Sequence, residues 1–314
     1  MGEVLHAIRV FFDQLAAVEF GTLGLGIFCH LLKTMCTSRA WRSTIAASYP
    51  DEPVRWRSIY AAYLSGVGVN AIVPARAGDA VRLYLAHRAV PASTYTTLAS
   101  TLLVLSIFDT AMALLIFAYA LTLGVLPGVG SLGSLPGFDF GFFAANPEFS
   151  AVLLVVLAIF GVMGVMWARL HINEFKQRVG LGLAVLRDRT EYLQHVAAWQ
   201  AGDWLLRFVA IWFFLGAFGV DQSIRNVLLV QVTQSLATLV PVSPGGIGTE
   251  QAFIVYVFAG TGLGRSALLA FSVGMKLTLI VTNIVIGFTA LFLTLGHVRW
   301  RDVAGGRKTP ATRA

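Results

Sequence analysis

Charge is what this sequence has least of. Only 12% of its 314 residues are Asp, Glu, Lys or Arg, while 57% are hydrophobic. An ordinary soluble domain carries roughly 25% charged residues. With a mean hydropathy of +0.74, the shortage excludes a conventional soluble fold and points to an all-α, polytopic membrane protein. Cysteine is scarce too. Cys29 and Cys36 both fall in or beside the first apolar run, so neither a disulfide framework nor a metal-ligand spacing exists. His30, His171 and His195 have no spacing that makes a metal site. The Gly-rich Lys-Ser/Thr loop of ATP-binding proteins is absent, and no cofactor is expected. No His–acid or nucleophile constellation supports an enzyme. Glu3, Arg9 and Asp13, with no small-residue cleavage site before the first span, argue against a signal peptide. The net charge of +7 resides mostly in short loops between apolar runs, so membrane orientation explains it better than nucleic-acid binding does.

What is present is a chain of apolar runs, two of them broken. The stretch Thr238–Glu250 is the clearest break. An apolar run arrives from Ile224, stops at Pro241, turns through Pro244, Gly245, Gly246 and Gly248, and leaves through Glu250 into Ala252–Ala259. A bilayer core of ~30 Å needs about 20 helical residues, and neither arm reaches that. Proline removes a backbone donor and glycine admits positive φ, so one straight helix is excluded. Broken backbone at membrane depth requires protein or a water-filled cavity around it. The reading is a re-entrant hairpin of two half-helices. The same pattern occurs earlier: Ser58–Val73 breaks at Pro74-Ala-Arg-Ala-Gly-Asp79 and resumes over Ala80–His87.

In order, residues 1–16 read as an amphipathic segment, with Val4, Ile8, Phe11, Phe12 and Leu15 on one side. A transmembrane domain over 17–300 follows. Repeat A (17–123) holds a span at Ala17–Met35, a basic loop at 36–57, the first hairpin, and a long span at Tyr95–Leu123. Residues 124–148 contain no Lys or Arg. A linker span at 149–167 and a charged interfacial helix at 169–200 come next. Repeat B (203–296) holds a span at Trp204–Val220, the second hairpin over 224–262 and a last span at Ala267–Leu295. Residues 301–314 form a basic, disordered tail. The expectation is five full spans and two hairpins in an inverted repeat. Lys and Arg concentrate in 36–57, 82–88, 169–200 and the tail, which places the N-terminus outside and the C-terminus in the cytoplasm of a cell membrane. Inverted repeats with discontinuous helices point to a transport site near the midplane.

Charges inside apolar segments cost ~2.5 kcal/mol or more at the bilayer centre, and so tend to be functional or paired. They are Arg76, Asp79, Arg82, Asp109, Glu250 and Lys276, with Asn70, Gln231, Gln234 and Asn283 as polar companions. Arginine offers a planar fork for a phosphate, which makes Arg76 and Arg82 candidates for a lipid head group. Glu250 and Asp79 would balance them or bind an amine. The structural alternative is that Arg76–Asp79 and Glu250–Lys276 are pairs holding the hairpins and that Arg82 snorkels to the surface. Asp109 has no partner within its own segment.

At the two broken motifs the chain resembles the membrane region of lysylphosphatidylglycerol synthases and their stand-alone flippase-like relatives. The motifs stand as Asn70-Ala-Ile-Val-Pro-Ala-Arg-Ala-Gly-Asp-Ala-Val-Arg82 and Pro241-Val-Ser-Pro-Gly-Gly-Ile-Gly-Thr-Glu250. The resemblance extends over about 17–300. An extra first span common in the family is missing, and Ser106 stands where many members have an Arg ahead of the acid Asp109. The aminoacyl-transferring soluble domain that a synthase needs does not follow before Ala314. The resemblance implies the translocation of a phospholipid or related anionic lipid between leaflets. Its site would comprise Asn70, Arg76, Asp79, Arg82, Asp109, Pro244, Gly245, Gly246, Gly248, Glu250 and Lys276. The partners expected are the membrane lipid and the bilayer, with no nucleic acid; a homo-oligomer is left open. The alternatives are a secondary transporter of a small solute and a membrane scaffold for a lipid-modifying enzyme.

Overall fold

The computed structural model describes residues 17–73, 76–122, 176–239, 250–251, 254, 258 and 265–295. The amphipathic start, the linker span at 149–167, the hairpin tip with Pro244, Gly245, Gly246 and Gly248, and the basic tail all lie outside the described residues. Those that are described are helical, with no strand among them.

Helix α1 spans Phe20–Ser48. This corrects the expected loop at 36–57, which shrinks to a short connection before α2. No Gly or Pro occurs between Gly26 and Pro50, so nothing stops the helix where its apolarity fades. Pro50 does, since the residue before proline is pushed out of the α region. The polar half of α1 also packs inward: Ala40, Trp41 and Ile45 are fully buried. Its hydroxyls turn back onto their own helix, as when Thr44 donates to the Trp41 carbonyl at 2.7 Å and Ser48 to that of Thr44 at 2.9 Å. Its arginines go to the edge, Arg39 lying 4.0 Å over the Trp56 ring and Arg42 donating to the Val54 carbonyl at 3.0 Å.

Helices α2 (Trp56–Ile72) and α3 (Ala77–Ala89) have 17 and 13 residues, or about 26 and 20 Å at 1.5 Å per residue. Each is too short to cross ~30 Å of hydrocarbon. They pack side by side, and two glycines make that possible. A Cβ on Gly66 would stand 2.7 Å from the Gly78 carbonyl oxygen, and one on Gly78 would strike the Gly66 oxygen. Between the helices Val73 is extended, and Arg76 takes the left-handed conformation at φ 57°.

Helix α4 spans Tyr95–Thr122. The expected interfacial helix at 169–200 is not one helix over its described part. It is helical at 176–182, then a 3-10 turn (Ala184–Arg187), a single α-turn (Arg189–Tyr192) and a π-helical stretch (Leu193–Ala197). Asp188 starts the α-turn by accepting from Thr190 N at 2.8 Å and Glu191 N at 3.0 Å. Nor does this segment only lie on a membrane surface. Val185 and Val196 are fully buried in the cluster around Trp41 and Leu98. Helix α5 (Ala198–Ala217) continues from it, followed by α6 (Ile224–Leu239) and α7 (Arg265–Leu295).

Among the described residues, three helical stretches are long and apolar enough to cross a membrane: Phe20–Ser48, Tyr95–Tyr119 and Ala267–Leu295. The most extensive helix contacts are α1 with α5, α2 with α7, and α2 with α3, while α4 touches α6 more lightly. The first pair is antiparallel. Glu19 N donates to the Ala217 oxygen at 3.0 Å, and Thr37 at the other end of the contact meets Asp203. The second is joined at bare backbone, where a Cβ on Gly68 would lie 2.7 Å from the Gly287 Cα.

Such a contact tolerates no added atoms. Gly68→Leu and Gly287→Leu should each lower unfolding stability in detergent by about 1–3 kcal/mol or more, the usual cost of overpacking. Gly24→Ala faces nothing within 4 Å and should leave stability unchanged. Equal behaviour of all three would show that the α2–α7 contact carries no weight.

Candidate functional site

The first hairpin is closed by its own polar residues. Helix α3 begins at Ala77 and leaves its first N–H groups without helical partners. Asn70, near the end of α2, accepts from Gly78 N at 2.7 Å and donates to Asp79 Oδ1 at 3.0 Å. One amide thus caps α3 and holds its first acid. The Asp79 carboxylate also meets Arg82 at 3.3 Å, one turn on. The ion pair is therefore Asp79–Arg82 and not Arg76–Asp79. Arg82 is four-fifths buried, its guanidinium lies 5.8 Å from the Trp41 ring, and its Nε has no partner. It does not simply extend to the surface. Arg76 is exposed in its left-handed backbone at the head of α3.

A similar arrangement surrounds Glu250. Gln234 of α6 donates to Glu250 Oε1 at 3.1 Å, and Lys276 of α7 reaches Glu250 Oε2 at 2.6 Å. The Glu250 side chain is 4% exposed. In both places an amide near the end of one helix donates to an acid further along the chain, and a cation neutralises that acid. The cation comes from the hairpin itself in one case and from α7 in the other.

Asp109 finds its partner across helices. Its Oδ1 accepts from Trp204 Nε1 of α5 at 2.9 Å, and it senses the charges of Arg207, Asp203 and Lys33. These last three form a cluster that sequence reasoning passed over. Asp203, 4% exposed at its side chain, meets Arg207 Nη2 at 3.0 Å and Lys33 Nζ at 4.0 Å, and accepts from Thr37 Oγ1 at 2.6 Å. Two cations and two acids therefore gather between α1, α4 and α5. The i,i+4 spacing of Asp203 and Arg207 was a usable signal for part of it. That Lys33 and Asp109 would join them depends on which helices touch, which spacing does not tell.

Polar contacts link the cluster to the first hairpin. Thr37 of α1 donates to Asp203, and Tyr63 of α2 lies within the electrostatic reach of both Asp203 and Arg82. His30, which has no metal-like spacing, is hydrogen-bonded to Asn283 of α7 at 2.8 Å. Among the described residues no group of three or more His, Cys, Asp or Glu could hold a metal ion.

A protein family described as the lysylphosphatidylglycerol synthase TM region matches residues 6–287. No curated protein and no solved structure matches.

The Glu250–Lys276 pair makes a stability prediction. Lys276→Met strands a buried carboxylate, and breaking a buried pair costs about 3–5 kcal/mol. Lys276 is 22% exposed, so the loss should fall near the lower end, read by denaturant unfolding in detergent. The double variant Glu250→Gln/Lys276→Met should regain most of it. A single variant as stable as the parent would show that the pair does not hold the hairpin.

Proposed function

We propose, since the chain belongs to the lysylphosphatidylglycerol synthase TM region family, that it translocates a phospholipid or related anionic lipid between leaflets. Its seat is a multi-pass membrane location, here assigned to the cell membrane with the N-terminus outside and the C-terminus in the cytoplasm. It acts as a carrier and not as an enzyme.

The observation that carries this reading is the matched amide–acid–cation set at the two hairpins, Asn70–Asp79–Arg82 and Gln234–Glu250–Lys276. The pattern of helix contacts supports it. Exchange α1 with α5, α2 with α6, and α4 with α7. The α1–α5 contact maps onto itself, and the α2–α7 contact maps onto α6–α4, which is also made though far less extensively among the described residues. That is what two halves related by a two-fold axis would do, and the antiparallel α1–α5 pair fits an axis in the membrane plane. On this reading α2–α3 and the segment from α6 onward are re-entrant, and α5 is a span.

The mechanism is alternating access. A phosphate meets Arg76, exposed at the head of α3, and the N-terminal amides of that helix, which favour an anion. Arg82 releases Asp79 to complete a planar fork around it. The acyl chains stay in lipid. The Lys33–Asp203–Arg207–Asp109 cluster favours a second reading, ion-coupled transport of a small solute, because four charged groups at one helix junction exceed what packing needs.

Leaflet exchange of fluorescent phospholipids in liposomes separates the two. The wild-type chain should speed exchange. Arg76→Ala, folded by size-exclusion elution, should slow it by at least about tenfold, as expected when a charge-assisted bond of about 1.5–3 kcal/mol is lost. Glu250→Gln should slow it as well. A wild-type chain inert toward anionic and zwitterionic lipids alike would remove intrinsic translocation and leave solute transport.

A further inference from the structure

Helices α2 and α7 touch backbone to backbone at Gly68 and Gly287. Ten residues back along α2, about 15 Å away, the same two helices part around a cavity of about 410 Å³. Its walls are the start of α2 (Arg57, Ser58, Ala61), the end of α3 (Leu85, Arg88, Ala89) and the end of α7 (Leu293, Thr294, Leu295). This is the open end of the first hairpin, opposite its tip. The volume lies in the range of small-molecule sites, about 300–1,000 Å³.

Its chemistry is divided. Arg57 and Arg88 are exposed at the mouth, and among the described residues no acid pairs with either. Their neighbours are committed: Arg42 donates to the Val54 carbonyl, Arg39 stacks on Trp56, and Arg82 pairs with Asp79. Among the described residues no acidic side chain lines the cavity. Arg57 sits in the first turn of α2, where the helix dipole adds to the attraction for an anion, although the Ser58 N–H is already given to the Arg55 carbonyl at 3.2 Å. The Thr294 hydroxyl spends its proton on the Ala290 carbonyl at 2.7 Å, leaving an acceptor for a head-group hydroxyl. The remaining wall is apolar. It continues onto the outer face of α7, where Phe292 and Leu293 are 76% and 58% exposed on a helix apolar enough to span a membrane.

We propose that this cavity binds an anionic phospholipid, with its phosphate between Arg57 and Arg88 and its acyl chains along the end of α7. Two unpaired guanidinium groups over a wall without acids select a head group whose net charge is negative. The open apolar flank selects a ligand with chains over free phosphate. The site is separate from the hairpin tip and does not depend on translocation.

The test is native mass spectrometry of the purified full chain in detergent, titrated with dioctanoyl phosphatidylglycerol. Arg57→Gln/Arg88→Gln should weaken binding by at least about tenfold. The charge-matched control Arg189→Gln/Arg225→Gln, at exposed positions elsewhere, should bind as wild type does. Both arginines of the cavity are exposed, and unchanged size-exclusion elution checks that the variants fold. Unchanged binding by the cavity variant, or equal weakening in the control, would overturn the proposal. So would dioctanoyl phosphatidylcholine binding as tightly as phosphatidylglycerol. Displacement of the lipid by inorganic phosphate at comparable concentration would make this a soluble-anion site instead. Leaflet exchange measured on the same variants keeps the two ideas apart, since binding stands or falls whether or not the wild type moves lipid.

Discussion

Every charge that this fold takes into its apolar interior has to meet its complement there, and most of the architecture follows from that constraint. Isolated ions in a low-dielectric interior are penalised by several kcal/mol. The described helices meet the demand in three places. Asn70 and Arg82 hold Asp79, Gln234 and Lys276 hold Glu250, and Lys33, Thr37 and Arg207 surround Asp203. Each group spans at least two structural elements, so the ion pairs fix which helices are neighbours as well as which charges are neutral. Apolar packing alone is less selective, because hydrocarbon chains offer a Leu or Val much the same surroundings as another helix does.

The groups around Asp79 and Glu250 differ in how their cations are held. At Asp79 the counter-cation lies on the same short helix, one turn away, and its Nε is unused. At Glu250 the cation comes from a long neighbouring helix, and the carboxylate is closed off on both oxygens. An anion can replace Asp79 on Arg82 without separating any two helices. The Glu250 group, by contrast, joins two elements, since its cation is carried by α7.

Much of this could be read from residue order, and the shortfalls have physical causes. The break between α2 and α3 was legible because proline and glycine act locally, while the expected break at Pro244 lies outside the described residues. The helical arms around the first break lie within a few residues of where the apolar runs end. Helix α1 exceeded its expected length because the reading equated the end of apolarity with the end of helix. Residues 36–48 keep helix-forming character up to Pro50 and bury Trp41 and Ile45 against other elements. The segment before α5 went the other way. It has helical periodicity, yet tertiary packing of Val185 and Val196 breaks it into short turns. Asp109 looked partnerless because its partner, Trp204, is 95 residues distant. Side-chain spacing reports on one helix; which two helices touch is settled by surfaces that no local pattern encodes.

Helix α7 carries Lys276, which grips the second hairpin at Glu250, and Gly287, where its backbone abuts the first hairpin at Gly68. The two points lie on one uninterrupted helix, about 16 Å apart. A helix of this kind bends little over such a distance, so it works as a connecting rod. The rod therefore ties the position of Glu250 to that of the α2–α3 pair. The small size of glycine at 68 and 287 thereby sets a mechanical tolerance: with no side chains between the backbones, there is little slack to take up before motion is passed on.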